Sequence, residues 1–129
     1  NLVFFYSHMK IQTSALLKSC SVEGKKMDLP DSQNIELEFS AIDTGGGFRD
    51  AILDFSINIP QPNGSDLQKL GDKCEVVATM QNPDRREREV TFSYQAEPVL
   101  NNENLEVNGR LQDDQLSRKV IGFMLHLLR

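Results

Sequence analysis

The chain has 129 residues, nineteen of them acidic and fourteen basic, and its net charge of −5 opposes attraction to a polyanion and argues against a general DNA- or RNA-binding role. A domain of this length buries roughly two thirds of its unfolded surface, enough for one core without staples. Cys20 and Cys74 stand far apart, outside any Cys-x-x-Cys spacing and with only His8 and His126 to join them, so no structural zinc site is expected. Both read as small hydrophobes in a reducing cytoplasm.

Taken in chain order, residues Asn1 to Met9 read as the remnant of a cleavable purification tag, since Asn-Leu-x-Phe is followed by Ser7-His8-Met9. The five apolar residues Leu2–Tyr6 are too few for a secretory core or a membrane span. That leaves 10–129 as a single domain. Ile11, Thr13, Ala15 and Leu17 alternate as a first strand, and Lys18–Gln33, with Gly24 and Pro30, reads as a loop. Over Asn34–Ile42 the apolar Ile35, Leu37, Phe39 and Ala41 alternate with Glu36, Glu38 and Ser40, which predicts a strand wet on one face.

Gly45-Gly46-Gly47 predicts a hairpin turn into a strand over Asp50–Ile59. There Ala51, Leu53, Phe55, Ile57 and Ile59 share one face, while Ile52, Asp54, Ser56 and Asn58 share the other. Pro60-Gln61-Pro62-Asn63-Gly64-Ser65 stops that strand, and its formal glycosylation triplet reads as a turn. After Leu70-Gly71-Asp72, Cys74, Val76, Ala78 and Met80 form another inward face. Asn82-Pro83-Asp84 turns the chain into Glu87–Ala96, and the two strands are predicted to pair. Asn101–Asn104 reads as a loop, followed by a short last strand with Leu105, Val107 and Leu111. From Asp113 the period becomes helical, with Leu116, Val120, Phe123, Met124 and Leu127 on one stripe and Asp113 or Asp114 as cap. The pattern predicts a mainly β protein, a six-stranded antiparallel barrel closed by a C-terminal α-helix.

No catalytic set emerges from the residues. His126 lacks a serine or cysteine placed with it by any motif, Asp113-Asp114 are explained by capping, and the glycine trio lacks the Lys-Ser/Thr of a phosphate loop. Arg85, Arg86 and Arg88 interleave with Glu87 and Glu89 as a self-neutralising strand start. The expectation is therefore binding without turnover, with no catalytic residue, metal or cofactor.

Several features in order resemble a PilZ domain, the bacterial barrel that senses cyclic di-guanylate. They are the basic pair before a proline in Lys25-Lys26-Met27-Asp28-Leu29-Pro30, the strand Ile35–Ile42, the segment GGGFRDAILDFSINI, the Leu67–Gly71 step into a strand, and NGRLQDDQLSRKVIGFMLHLLR at the end. The resemblance implies a nucleotide site at Lys25, Lys26, Asp54 and Ser56. In that family two arginines clamp guanine and phosphate, and a strand with Asp/Asn-x-Ser-x-x-Gly lets the nucleotide approach the backbone. Here lysines stand in the region of the arginines, Pro30 sits near the second, and Ile59 replaces the glycine. The resemblance thus implies a degenerate member in cyclic di-guanylate-controlled motility, pilus or secretion machinery. It would be a cytoplasmic monomer or dimer that acts through a protein partner, with weak or absent cyclic di-guanylate binding and neither nucleic-acid binding nor membrane insertion. Two other readings of the alternating strands stay open: a SecB-like holdase chaperone, which would be tetrameric, and a phage or secretion structural barrel.

Overall fold

The computed structural model describes residues 7–60 and 73–128. Its strands are β1 (Ser7–Val22), β2 (Lys25–Lys26), β3 (Asn34–Asp43), β4 (Phe48–Ser56), β5 (Asn58–Pro60), β6 (Cys74–Gln81), β7 (Glu89–Ala96), β8 (Val99–Asn101), β9 (Asn104–Glu106) and β10 (Gly109–Gln112). A short 3₁₀ turn (Asp113–Gln115) and one helix, α1 (Arg118–His126), follow. Antiparallel pairing in the order β10-β4-β3-β1-β6-β7 makes a nearly closed six-strand barrel, with β2 added beside β1. A second, three-stranded sheet has the order β5-β9-β8. The predicted turn at Gln61–Ser65 and the Leu67–Gly71 step lie outside the described residues, as do positions 1–6.

Alternation explains the core. Ile35, Leu37, Phe39 and Ala41 of β3, Leu53 and Phe55 of β4, Cys74, Val76, Ala78 and Met80 of β6, and Val90, Phe92, Tyr94 and Ala96 of β7 are all buried. Two β-bulges then change the phase in ways a strict period of two does not foresee. In β1 the pairing with β6 slips between Leu17 and Ser19, so the inward set passes from Ala15 and Leu17 to Cys20 and Val22. In β4 the pairing with β3 slips where Asp50 takes a left-handed φ of 52°, and Phe48 turns inward to meet Phe39 edge-on at 6.2 Å.

Several boundaries differ from those predicted. Lys18–Val22 belongs to β1 and Lys25–Lys26 to β2, where a single loop over 18–33 is expected from composition. Ser7, His8 and Met9 join β1 opposite Asp43, Ile42 and Ala41. The strand predicted over 50–59 divides at Ile57, where the chain leaves the barrel for the second sheet. Asn102 and Glu103, with φ of 50° and 68°, form a two-residue hairpin between β8 and β9 rather than an open loop. The helix starts later than the periodicity indicates: Asp113 and Asp114 make the 3₁₀ turn, and Ser117 caps α1 by accepting from the Val120 amide at 3.3 Å.

The two end strands of the barrel, β7 and β10, close on each other through side chains rather than a backbone ladder. Tyr94 of β7 donates its hydroxyl to the Val107 carbonyl at 2.6 Å and stands edge-on to Phe55, 4.5 Å away. Gly109 of β10 lies directly opposite Phe55, and a Cβ there would come within 2.6 Å of the Tyr94 ring and 2.8 Å of Phe55. Only glycine lets the two rings lie over the strand. α1 follows β10 and packs on β7, so Val120, Phe123 and Met124 are buried across the remaining opening.

Both cysteines are free and buried, as expected of small hydrophobes. Burial pushes the Cys20 thiol up from 9.0 to about 11, and burial followed by the neighbouring Cys20 pushes the Tyr94 phenol upward. The fold thus holds both groups neutral at pH values where the unfolded chain ionises. Their stabilisation is complete below pH 9 and declines as pH rises, because the unfolded state then binds fewer protons than the native one. Between pH 9 and 11 the Cys20 thiol alone should cost about 2 kcal/mol. Urea midpoints at neutral and alkaline pH should show this loss, and Cys20→Ala should flatten it; an identical alkaline slope in that variant would refute the assignment.

Candidate functional site

Asp54 and Ser56 project together from the outer face of β4, as their parity requires, and they line an open groove of about 700 Å³. Strand register builds this groove. Gln12 of β1 stands opposite Glu38 of β3, Glu38 opposite Asp54 of β4, and Asp54 opposite Arg110 of β10, giving one polar row across four strands. Ser14, Glu36 and Ser56 form the next row, with Asn108 and Gly109 at its margin.

The row is bonded within itself. Arg110 grips Asp54 with both arms of its fork, Nε to Oδ1 at 2.6 Å and Nη2 to Oδ2 at 3.1 Å. The Gln12 amide donates to Glu38 at 2.9 Å, and the Lys10 ammonium lies 3.3 Å from its other oxygen. Those two donors, Gln12 first, hold the Glu38 carboxyl below its usual range, while the Asp54 carboxylate raises the Arg110 guanidinium. Glu36, Glu38 and Asp54 make the groove floor acidic, and the Arg110 fork is spent on Asp54.

Lys25 and Lys26 are exposed on β2 and do not line this groove. They pair with Val22 and Ser21, whereas the Asp54 row crosses β1 at Gln12. From position 12 to position 22 is a path of about 33 Å along a strand. The fold therefore unites Asp54 with Ser56 and leaves the lysine pair elsewhere on the surface. Ile59, in the place of the family's glycine, is fully buried in β5 and presents no bare backbone.

The residues that complete the groove, Gln12, Glu36, Glu38 and Asn108, and the Arg110 that holds Asp54, are visible in the sequence only as polar members of the chain's short β segments and turns. Their assembly depends on register, which alternation does not specify. The arginine-rich turn is arranged differently from a self-neutralising run: Glu89 takes Lys18 at 2.8 Å, and Arg88 donates to His126 Nε2 at 2.8 Å. His126 is half-buried at the end of α1, as its neighbours imply. Asn82 Oδ1 accepts from the amides of Asp84 and Arg85, which fixes the predicted turn.

Comparison of the chain with protein-family models, with curated proteins and with solved structures finds no match. Among the described residues, no group of His, Cys, Asp and Glu side chains is placed to hold a metal ion, and no helix is long and apolar enough to cross a membrane.

Proposed function

We propose that this chain is a non-enzymatic adaptor module, PilZ-like in build, that works by binding a protein and takes cyclic di-guanylate weakly or not at all. The link to cyclic di-guanylate-controlled motility, pilus or secretion machinery rests on the sequence resemblance; the barrel with its terminal helix is compatible with it. The observation that carries the reading is the outer row Gln12-Glu38-Asp54-Arg110. A nucleotide with two phosphates needs a cationic fork, and here three carboxylates face the groove while the fork is held by one of them. An exposed, rigid β face with acidic side chains suits a basic protein surface instead, since complementary charge steers and orients such encounters.

Titration calorimetry with cyclic di-guanylate tests the reading directly. The expected result is no saturable heat, corresponding to a dissociation constant weaker than about 0.1 mM. A sub-micromolar constant that Asp54→Ala or Lys26→Ala weakens would establish a working nucleotide site and overturn it.

A further inference from the structure

The outer groove gives no role to the arginine-rich turn 82–88. That turn walls a separate cleft of about 380 Å³, bounded on its other sides by Thr13 and Ser14 of β1 and by the end of α1 at His126. Arg85 and Arg88 both line it, and among the described residues neither has a carboxylate within ion-pair distance. Glu89, a neighbour expected to neutralise them, is bonded to Lys18. Arg88 instead donates to His126 Nε2 at 2.8 Å, a bond that occupies one of the guanidinium's five N–H groups and cancels none of its charge. Asp84 is the one carboxylate on the wall, and it pairs with neither arginine.

The other groups turned to the cleft are donors too. Asn82 is more than nine-tenths buried, at 6% exposure, and its Oδ1 is spent on the amides of Asp84 and Arg85. Its Nδ2 meets no acceptor among the described residues. No buried side-chain nitrogen is sealed away without a partner, so Nδ2 opens onto the cleft that Asn82 lines. The backbone adds one more donor. The Leu17 amide donates to the Gln33 carbonyl on the β3 side, and amides alternate along an antiparallel strand, so the Ser14 amide points the other way. Leu16 stands opposite Gln81, which puts Ser14 two residues on against Pro83 and its amide in the cleft.

We propose that this cleft binds a dianionic phosphate group, free or carried as a monoester by a small metabolite. Two guanidinium forks, the asparagine nitrogen and the Ser14 amide supply about six donors, which the three free oxygens of a terminal phosphate satisfy and the roughly four acceptor sites of a carboxylate do not. Arginine also matches phosphate geometrically. A volume of about 380 Å³ falls within the roughly 300–1,000 Å³ typical of small-molecule sites, and it leaves space for an organic group against Pro83 and Leu127. In a chain of net charge −5 such a ligand is drawn by the local cluster and not by the mean field. Cyclic di-guanylate offers no such group, because each of its phosphates is a diester with two free oxygens and a single charge. The inference therefore goes beyond the adaptor role and stands whether or not a protein occupies the outer groove.

Titration calorimetry of the full chain in phosphate-free buffer tests it, with inorganic phosphate and glucose 6-phosphate as probes and glucose and dimethyl phosphate as controls. The expected result is saturable binding of a phosphate probe with a dissociation constant of about 1 mM or tighter, and no binding of the controls. Tighter binding of glucose 6-phosphate assigns the site to a monoester; equal or tighter binding of inorganic phosphate assigns it to the free anion. Arg85→Gln should weaken binding about tenfold or more without moving the urea midpoint, since its exposed side chain bonds no described residue. Arg88→Gln should weaken it as much. Arg86→Gln removes the same charge from the same turn but outside the cleft, and should change affinity by less than about twofold. Absence of saturable binding of either probe at about 10 mM, or a loss in Arg86→Gln as large as in Arg85→Gln, would overturn the proposal.

Discussion

A chain ending at Gln115 is expected to lose the barrel, either unfolding or aggregating. The removed segment carries Leu116, Val120, Phe123 and Met124, all buried, and α1 lies where β7 and β10 fail to meet through their backbones. Burial of each such side chain is worth about 1.5–3 kcal/mol, so four of them approach the 5–15 kcal/mol that a whole domain holds in reserve. Their loss also uncovers Phe92 and its neighbours on β7. Far-UV circular dichroism and a urea titration measure the outcome. A soluble truncation with an unchanged β spectrum and midpoint would show that α1 is an appendage and not a wall of the fold.

The second large effect is expected at Gly109. Alanine there brings a methyl group to 2.6–2.8 Å from the Tyr94 and Phe55 rings, closer than carbon atoms approach in folded proteins. Neither ring has an easy way out. Tyr94 is tethered to the Val107 carbonyl, and Phe55 is packed between Tyr94 and Phe92, whose rings lie 4.5 and 5.1 Å away. Overpacking of this kind costs about 1–3 kcal/mol, and displacing Tyr94 leaves a buried carbonyl unpaired for about 1–3 kcal/mol more. Gly109→Ala should therefore destabilise by about 3 kcal/mol, and Gly109→Val by more. The combination Gly109→Ala with Tyr94→Phe should be less than additive, because both changes break the same hydrogen bond. Additive costs in a double-mutant cycle would mean that the ring and the glycine are not coupled.

The resemblance to a PilZ domain predicted lysines and a strand motif acting together, and the fold separates them. Asp54 and Ser56 are two residues apart on one strand, so their shared face follows from strand geometry alone. Lys25 and Lys26 lie on a different strand, and their distance from that face is set by the path of β1 between Gln12 and Val22. In the sequence Arg110 is marked by nothing beyond its place in the C-terminal string. Its grip on Asp54 changes the chemistry of the groove more than either lysine does.

By itself the sequence determined the class of the fold, the inward faces of β3, β6 and β7, the hairpin turns at Gly45 and Asn82, and the pairing of β6 with β7. Each is a local property: alternation marks a half-buried strand, and glycine, asparagine and proline fix the backbone of a turn within a few residues. Only the tertiary structure decided where the phase slips in β1 and β4, because a bulge turns Cys20, Val22 and Phe48 inward at a place the period of two does not mark. It also decided that Ser117 rather than Asp113 caps α1, and that Gly109 and Tyr94 seal the seam. The row from Gln12 to Arg110 belongs to the same class, since it joins four strands whose mutual register is set by the closure of the whole sheet and by no stretch of the chain alone.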